Sequence, residues 1–103
     1  MKFVLAYSLR PGASAADNVA SGEAAQKLLS SWTPSPEATI HQWVQRCDGN
    51  GGFSVIETDN AADLFKDLTT WTPWLEFQVY PGLDIVESMP ISGEALGTAR
   101  SVV

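Results

Sequence analysis

Residues 38–58 read ATIHQWVQRCDGNGGFSVIET, and this stretch decides the fold. Two runs rich in β-branched and aromatic residues, 38–46 and 53–58, flank the turn-forming stretch 48–52, which contains an Asn-Gly dipeptide. Asn-Gly between two strand-like runs is a strong short-range signal for a hairpin. The sequence therefore predicts two adjacent antiparallel strands in the middle of the chain.

A strand and a helix are predicted before the hairpin. Residues 2–9 are rich in β-forming residues and are followed by the turn-forming sequence Arg-Pro-Gly. Ser14, three residues before Asp17, is typical of a helix N-cap. The helix is predicted to extend to about residue 32, because apolar residues recur at helical spacing there. Its predicted apolar face comprises Ala16, Val19, Ala20, Ala24, Leu28 and Trp32.

A second helix and a fourth strand are predicted after the hairpin. Asn60, at capping distance from Asp63, begins a helix over 60–71. Residues 74–80 follow a proline and read as a strand, with alternate side chains on opposite sides. The predicted apolar stripe of the helix comprises Ala61, Leu64, Phe65, Leu68 and Trp71.

The predicted element order is βαββαβ, the ferredoxin-like arrangement of the α+β class. It predicts a core at 1–82 with a four-stranded antiparallel sheet and two helices on one face. The extension 83–103 is expected to belong to the same single domain, with an extended segment over 84–91 and a short helix over 92–101. A chain of 103 residues suits one core. The sequence leaves open whether the extension packs on its own sheet or on a partner.

Charge and hydropathy exclude two classes of partner. Six Lys and Arg against twelve Asp and Glu give a net charge of −6, and the basic residues are scattered. Nucleic acid is therefore not expected as a partner, because phosphate binding needs clustered cations. The apolar run at the N-terminus is short and is interrupted by Arg10-Pro11, so we expect neither a signal peptide nor a membrane partner. A single cysteine, Cys47, agrees with a cytoplasmic location.

The two predicted helices leave one face of the sheet uncovered. In 2–9 and in 53–58 both alternating sets of side chains are largely apolar, so which set faces the helices stays open. In the second strand, alternation places Ile40 on one side and His41 and Trp43 on the other side of the sheet. A monomer with this pattern would expose more apolar area than soluble monomers usually do. We therefore expect a two-fold homodimer in which two sheets lie face to face.

Three stretches of the chain resemble a known family: MKFxxxYxxRPG at 1–12, GGF leading into ETD at 51–59, and Trp71 followed by LEFxVxP at 75–81. Over about residues 1–86 the chain resembles a small bacterial family of uncharacterised domains in the dimeric α/β-barrel superfamily. The resemblance implies a ferredoxin-like dimer whose two sheets form a barrel. That superfamily includes cofactor-free monooxygenases, haem-degrading enzymes, dye peroxidases, isomerases and proteins with no known chemistry. The resemblance therefore selects no activity.

Five residues are candidates for lining a ligand pocket inside such a barrel: Tyr7, His41, Trp43, Glu76 and Gln78. Aromatic walls with few polar groups are typical of a small-molecule pocket. Trp and Tyr are also enriched in dimer interfaces, and we favour the interface interpretation for this set.

His41 is the only histidine and the candidate catalytic residue, as a general base or as an axial haem ligand. A strand histidine with a satisfied hydrogen bond is the commoner alternative. Glu57 also has two interpretations. It is either a functional carboxylate at the mouth of the barrel or an acidic residue that the helix dipole favours near a helix N-terminus. No metal site is expected, and no cofactor is predicted, with haem and flavin left open.

Three functional hypotheses follow. The first is a homodimer that binds a small molecule in its barrel. The second is a monooxygenase-like or haem-handling enzyme that uses His41. The third is a purely structural or regulatory dimer. The sequence leaves open whether the protein is an enzyme.

Overall fold

The computed structural model describes residues 1–103 and contains four strands and three helices. They are β1 (Lys2–Leu9), α1 (Ala15–Ser31), β2 (Thr39–Gln45), β3 (Gly51–Glu57), α2 (Ala61–Trp71), β4 (Leu75–Gly82) and α3 (Ile85–Arg100). The strands form one antiparallel sheet in the order β2-β3-β1-β4. The predicted α+β class and βαββαβ order are confirmed. None of the three helices combines the length and the apolar character needed to cross a membrane.

Side-chain caps begin the first two helices where the sequence predicts them. Ser14 Oγ accepts a hydrogen bond from the Asp17 amide at 3.1 Å. Asn60 Oδ1 accepts hydrogen bonds from the amides of Ala62 at 3.0 Å and Asp63 at 3.4 Å. These bonds satisfy amides that the first helical turn leaves without an intrahelical partner.

The hairpin has a shorter turn and a longer second strand than predicted. β3 begins at Gly51 and not at residue 53, so both glycines lie in the sheet. A Cβ on Gly51 would lie 2.0 Å from the Tyr7 carbonyl oxygen, and one on Gly52 would lie 2.1 Å from the Val44 carbonyl oxygen. Both positions therefore need glycine because neighbouring backbone approaches closely.

The core lies between the sheet and α2. Its buried residues are Leu5, Ala38, Ile56 and Leu64, with Phe3, Ile40, Leu68 and Phe77 packed around them. Leu5 of β1 lies opposite Ser54 of β3 and Val79 of β4. The odd-numbered residues of β1 therefore face the helices, which settles a point that the sequence left open.

One turn of α2 differs from the predicted apolar stripe. Leu64 and Trp71 are buried as predicted, but Phe65 is 71% exposed and Asp67 is only 5% exposed. The Asp67 carboxylate accepts hydrogen bonds from the Ser35 amide at 3.0 Å and from Ser35 Oγ at 2.8 Å. The loop before β2 therefore supplies the donors that make a buried carboxylate tolerable. Helical periodicity contains no signal for such a partner.

The half-buried positions of helix α1 begin at Ser21, the seventh residue of the helix. No residue of the helix is buried. Ser21, Ala25 and Leu28 are half-buried, as is Trp32 just beyond the helix end. The inward stripe is thus offset by one residue from the predicted positions 20 and 24 and agrees with the predicted positions 28 and 32.

The C-terminal extension also differs from the prediction. It forms one helix, α3, where an extended segment and a shorter helix were expected. Pro90 lies inside this helix, although proline lacks the N–H that an interior helical position donates. No residue of α3 is buried. The helix projects from the sheet, and the radius of gyration is 17.8 Å. A compact chain of this length would have a value of about 13 Å.

We expect Asp67→Ala to lower the free energy of unfolding by about 2–3 kcal/mol, because the two Ser35 donors lose their acceptor inside the core. Thr69→Ala, at an exposed position of the same helix, should change it by less than about 0.5 kcal/mol. Urea denaturation monitored by circular dichroism measures both values. Equal effects of the two substitutions would contradict a structural role for the buried carboxylate.

Candidate functional site

The five candidate residues lie on two different faces of the sheet. The register of β2 shifts between Ile40 and Gln42, so that Ile40 pairs with Ile56 and Trp43 pairs with Ser54. Both partners lie on the helix side of β3. Trp43 therefore shares the helix side with Ile40, contrary to simple alternation.

Tyr7 and Trp43 form a hydrogen-bonded pair on the helix side. Trp43 Nε1 donates to Tyr7 Oη at 3.0 Å, and Tyr7 Oη donates to the Val44 carbonyl at 3.1 Å. The Tyr7 ring lies across Gly52, where a Cβ would lie 2.4 Å from Tyr7 Oη. Because the hydroxyl bridges a side chain and a backbone group of β2, it holds this edge strand against β1 and β3.

Trp43 of this pair also belongs to a cluster of three tryptophans in mutual edge-to-face contact. The ring centroids of Trp32, Trp43 and Trp71 are 5.6–6.0 Å apart, with interplanar angles of 83–89°. This geometry matches the preferred arrangement of aromatic quadrupoles. The cluster joins the end of α1, the edge strand β2 and the end of α2.

A cavity of about 30 Å³ lies beside the tryptophan cluster, between the sheet and the helices. Its lining includes Asp67, Ser54 and Trp71, and no protein atom accepts a hydrogen bond from the buried Trp71 Nε1. A water molecule needs about 10–15 Å³ by this measure, so the cavity suits one or two waters and not a substrate.

The opposite face of the sheet, here called the open face, is covered by no helix. Its apolar residues are Val4, Ala6, Val44, Phe53, Val55 and Tyr80, and its polar residues include Glu76 and Gln78. A groove of about 440 Å³ runs over one end of this face. Ala6, Tyr7, Ser8, Arg46, Gly52, Phe53, Glu76, Phe77 and Gln78 line it. Two candidate side chains therefore meet there, Glu76 and Gln78, while Tyr7 borders the groove from a strand position whose side chain lies on the helix side.

Opposite charges stand at the two sides of this groove. Arg46 follows the edge strand β2 and pairs with Asp48. The Asn50 amide and the Arg46 guanidinium lower the pKa of Asp48 below its ordinary value. Across the sheet, Glu76 on β4 lies 3.2 Å from Arg10. Both pairs are exposed, so their guanidinium and carboxylate groups remain accessible to a ligand.

His41 lies apart from the groove and pairs with Glu57. His41 Nε2 is 2.7 Å from Glu57 Oε1, and both side chains are about half exposed. When Glu57 is ionised, Nε2 carries the proton, and Nδ1 is the nitrogen free to accept another. The geometry thus resembles a base that is oriented by a carboxylate.

The structure holds no group of three or more His, Cys, Asp or Glu side chains that would bind a metal ion. Cys47 is exposed next to the hairpin turn. The position in the turn keeps this thiol outside the core.

Residues 1–96 match the model of a family described as Domain of unknown function (DUF3303). The chain belongs to this family. No curated protein matches the chain. Membership of DUF3303 agrees with the expectation of an uncharacterised domain and assigns no reaction.

Arg46 and Phe53 line the groove although they are not among the residues predicted from the sequence. Period-two alternation within β3 could have placed Phe53 on the same face as Glu57. Arg46 carried no comparable signal, because it lies outside the strand and its direction depends on the turn.

We expect Tyr7→Phe to lower the free energy of unfolding by about 1–2 kcal/mol, because the Trp43 donor and the Val44 carbonyl lose their shared partner. Tyr80→Phe is the matched control, since the Tyr80 hydroxyl bonds only to exposed Gln78. It should change stability by less than about 0.5 kcal/mol. Urea titrations at one fixed protein concentration compare the two, and a larger loss in Tyr80→Phe would contradict the bridging role of Tyr7.

Proposed function

We propose that this DUF3303 chain functions as a homodimer in which two open faces pack against each other, as in dimeric α/β barrels. The observation that carries the proposal is the uncovered sheet face with its apolar centre. Val4, Val44, Phe53 and Tyr80 are each 42–54% exposed there. Lys2, Arg46, Glu57 and Glu76 lie toward its margins, which matches the apolar centre and polar rim of protein interfaces.

The total surface of the chain supports the same proposal. The accessible area is 7397 Å². A compact monomer of 11.1 kDa is expected to expose about 5,700 Å². The excess of about 1,700 Å² is roughly twice what one partner buries in a standard interface. A second copy is the partner that needs no further assumption, because two-fold pairing covers the same face in both chains.

We also propose that the groove beside Phe53 becomes a small-molecule pocket when the second sheet covers it. Its volume of about 440 Å³ falls within the range of ligand pockets. Phe53 offers an apolar wall, Arg46 offers a cation, and Gln78 offers both a donor and an acceptor. The chemistry favours a planar apolar molecule with an anionic end, such as an aromatic carboxylate.

The distance between His41 and Glu57 favours a second candidate function, a monooxygenase-like or haem-handling enzyme. Glu57 engages Nε2, the nitrogen that would otherwise be the more accessible metal ligand. Proton abstraction through Nδ1 therefore fits this geometry better than axial ligation of haem. The cytoplasmic location stays a prediction from the sequence.

Phe53→Glu should convert the dimer to monomers, because removing a carboxylate from water at the apolar centre of the face opposes sheet packing. Val19→Glu on α1 is the matched control, since Val19 is also exposed but lies away from the open face. Size-exclusion chromatography with light scattering measures the mass of each variant. A monomeric wild type, or a Phe53→Glu variant that remains dimeric, would argue against this interface.

A thermal-shift series tests the pocket with benzoate, indole-3-acetate, flavin mononucleotide and haem. A ligand at 100 times its Kd stabilises the fold by about 2.7 kcal/mol, which for a domain of this size raises Tm by about 10 °C or more. We expect a shift with an aromatic carboxylate that Arg46→Ala abolishes and Lys66→Ala retains.

Two other outcomes of that series are informative. If no probe raises Tm, the pocket proposal fails and the dimer proposal stands. A haem shift that His41→Ala abolishes and Arg46→Ala retains would favour the enzyme hypothesis instead.

A further inference from the structure

We propose that α3 is an exchanged arm, whose apolar side packs into the groove between α2 and β4 of a second copy of this chain. The inference rests on the proposed dimer and adds a second contact to it. It also agrees with the expectation that the extension 83–103 belongs to the same folded unit as the core.

Helix α3 has one apolar side that nothing in its own chain covers. At 100° per residue, Ile85, Val86, Met89 and Leu96 fall within an arc of about 100°. Arg100, at the end of the helix, shares this arc, and Ile91 lies outside it. The four apolar side chains of the arc are 62–80% exposed. Glu87 and Glu94 lie on the opposite side of the helix. Such a helix is typical of a segment that packs on a partner surface.

A second apolar surface of the chain is also uncovered. A groove of about 410 Å³ runs between α2 and β4. Phe65, 71% exposed, and Val79, 38% exposed, are its most prominent apolar residues. Arg10, Ala61, Leu64, Leu68, Thr69, Thr72 and Phe77 complete the lining.

The two surfaces match in length. The 16 residues of α3 span about 24 Å and the 11 residues of α2 span about 16 Å, so the arm can follow the whole groove.

The start of α3 favours a second copy over the chain's own groove. Lys2 Nζ lies 2.6 Å from Asp84 Oδ1, the residue just before the helix. This hydrogen bond raises the pKa of Lys2 above its ordinary value. The pair fixes the origin of the helix where it projects from the sheet. A return onto the same chain would require reversal over Leu83 and Asp84.

The excess accessible surface of the chain is large enough for both contacts. The excess exposure of about 1,700 Å² exceeds the roughly 800 Å² that each partner buries in a standard interface. A sheet-to-sheet contact and an arm contact together account for that excess better than either contact alone.

Disulfide trapping between two single-cysteine proteins tests the arm. In a Cys47→Ser background, one protein carries Phe65→Cys and the other carries Leu96→Cys. The two are unfolded together in urea, refolded to exchange subunits and oxidised. We expect a covalent heterodimer on a non-reducing gel, with a yield about tenfold above that of a mixture in which Glu94→Cys replaces Leu96→Cys.

Three other results would overturn the proposal, and they are distinguishable. If both substitutions in one chain give only an internally cross-linked monomer, α3 packs on its own groove. If no cross-link forms although light scattering shows a dimer, the arm is excluded and the sheet dimer stands. If light scattering shows a monomer, the exchanged arm and the proposed dimer both fail. Circular dichroism of each variant confirms that these exposed positions tolerate cysteine.

Discussion

The bulge in β2 between Ile40 and Gln42 determines which side chains each face of the sheet receives. By adding one residue at this point, it returns Trp43 to the helix side, where the hydroxyl of Tyr7 accepts its indole N–H. His41, beside the bulge, instead meets Glu57 of the open face. The tryptophan cluster, the attachment of the edge strand and the polar composition of the open face all depend on this single irregularity.

Local signals made most of the element order predictable. Ser14 and Asn60 cap their helices, and turn-forming residues separate the hairpin strands, because these interactions involve residues close in sequence. The faces were harder to predict. β1 is apolar on both sides, so only packing against α2 distinguishes them. The exposed Phe65 and buried Asp67 reversed the expected pattern, because a loop 32 residues away supplies the partner of the carboxylate.

The candidate site was partly predictable for the same reason. Glu76 and Gln78 share a face because alternation holds along an unbroken strand, and both line the groove on the open face. Alternation fails in β2, where the bulge separates Trp43 from His41. What remains exposed is informative in itself, because the sheet face, the groove beside α2 and the apolar side of α3 are three surfaces of one chain that its own helices do not cover.

The sheet order also bears on how the chain reaches its fold. β1 lies in the interior of the sheet and pairs with β4, so that Lys2 is in register with Gly82. Closing such a long loop has an entropic cost that is incurred before the strand contacts form, so this pairing slows folding relative to a chain with local contacts alone. During synthesis, the central strand must therefore remain unpaired along one edge until nearly all of the sheet has been made.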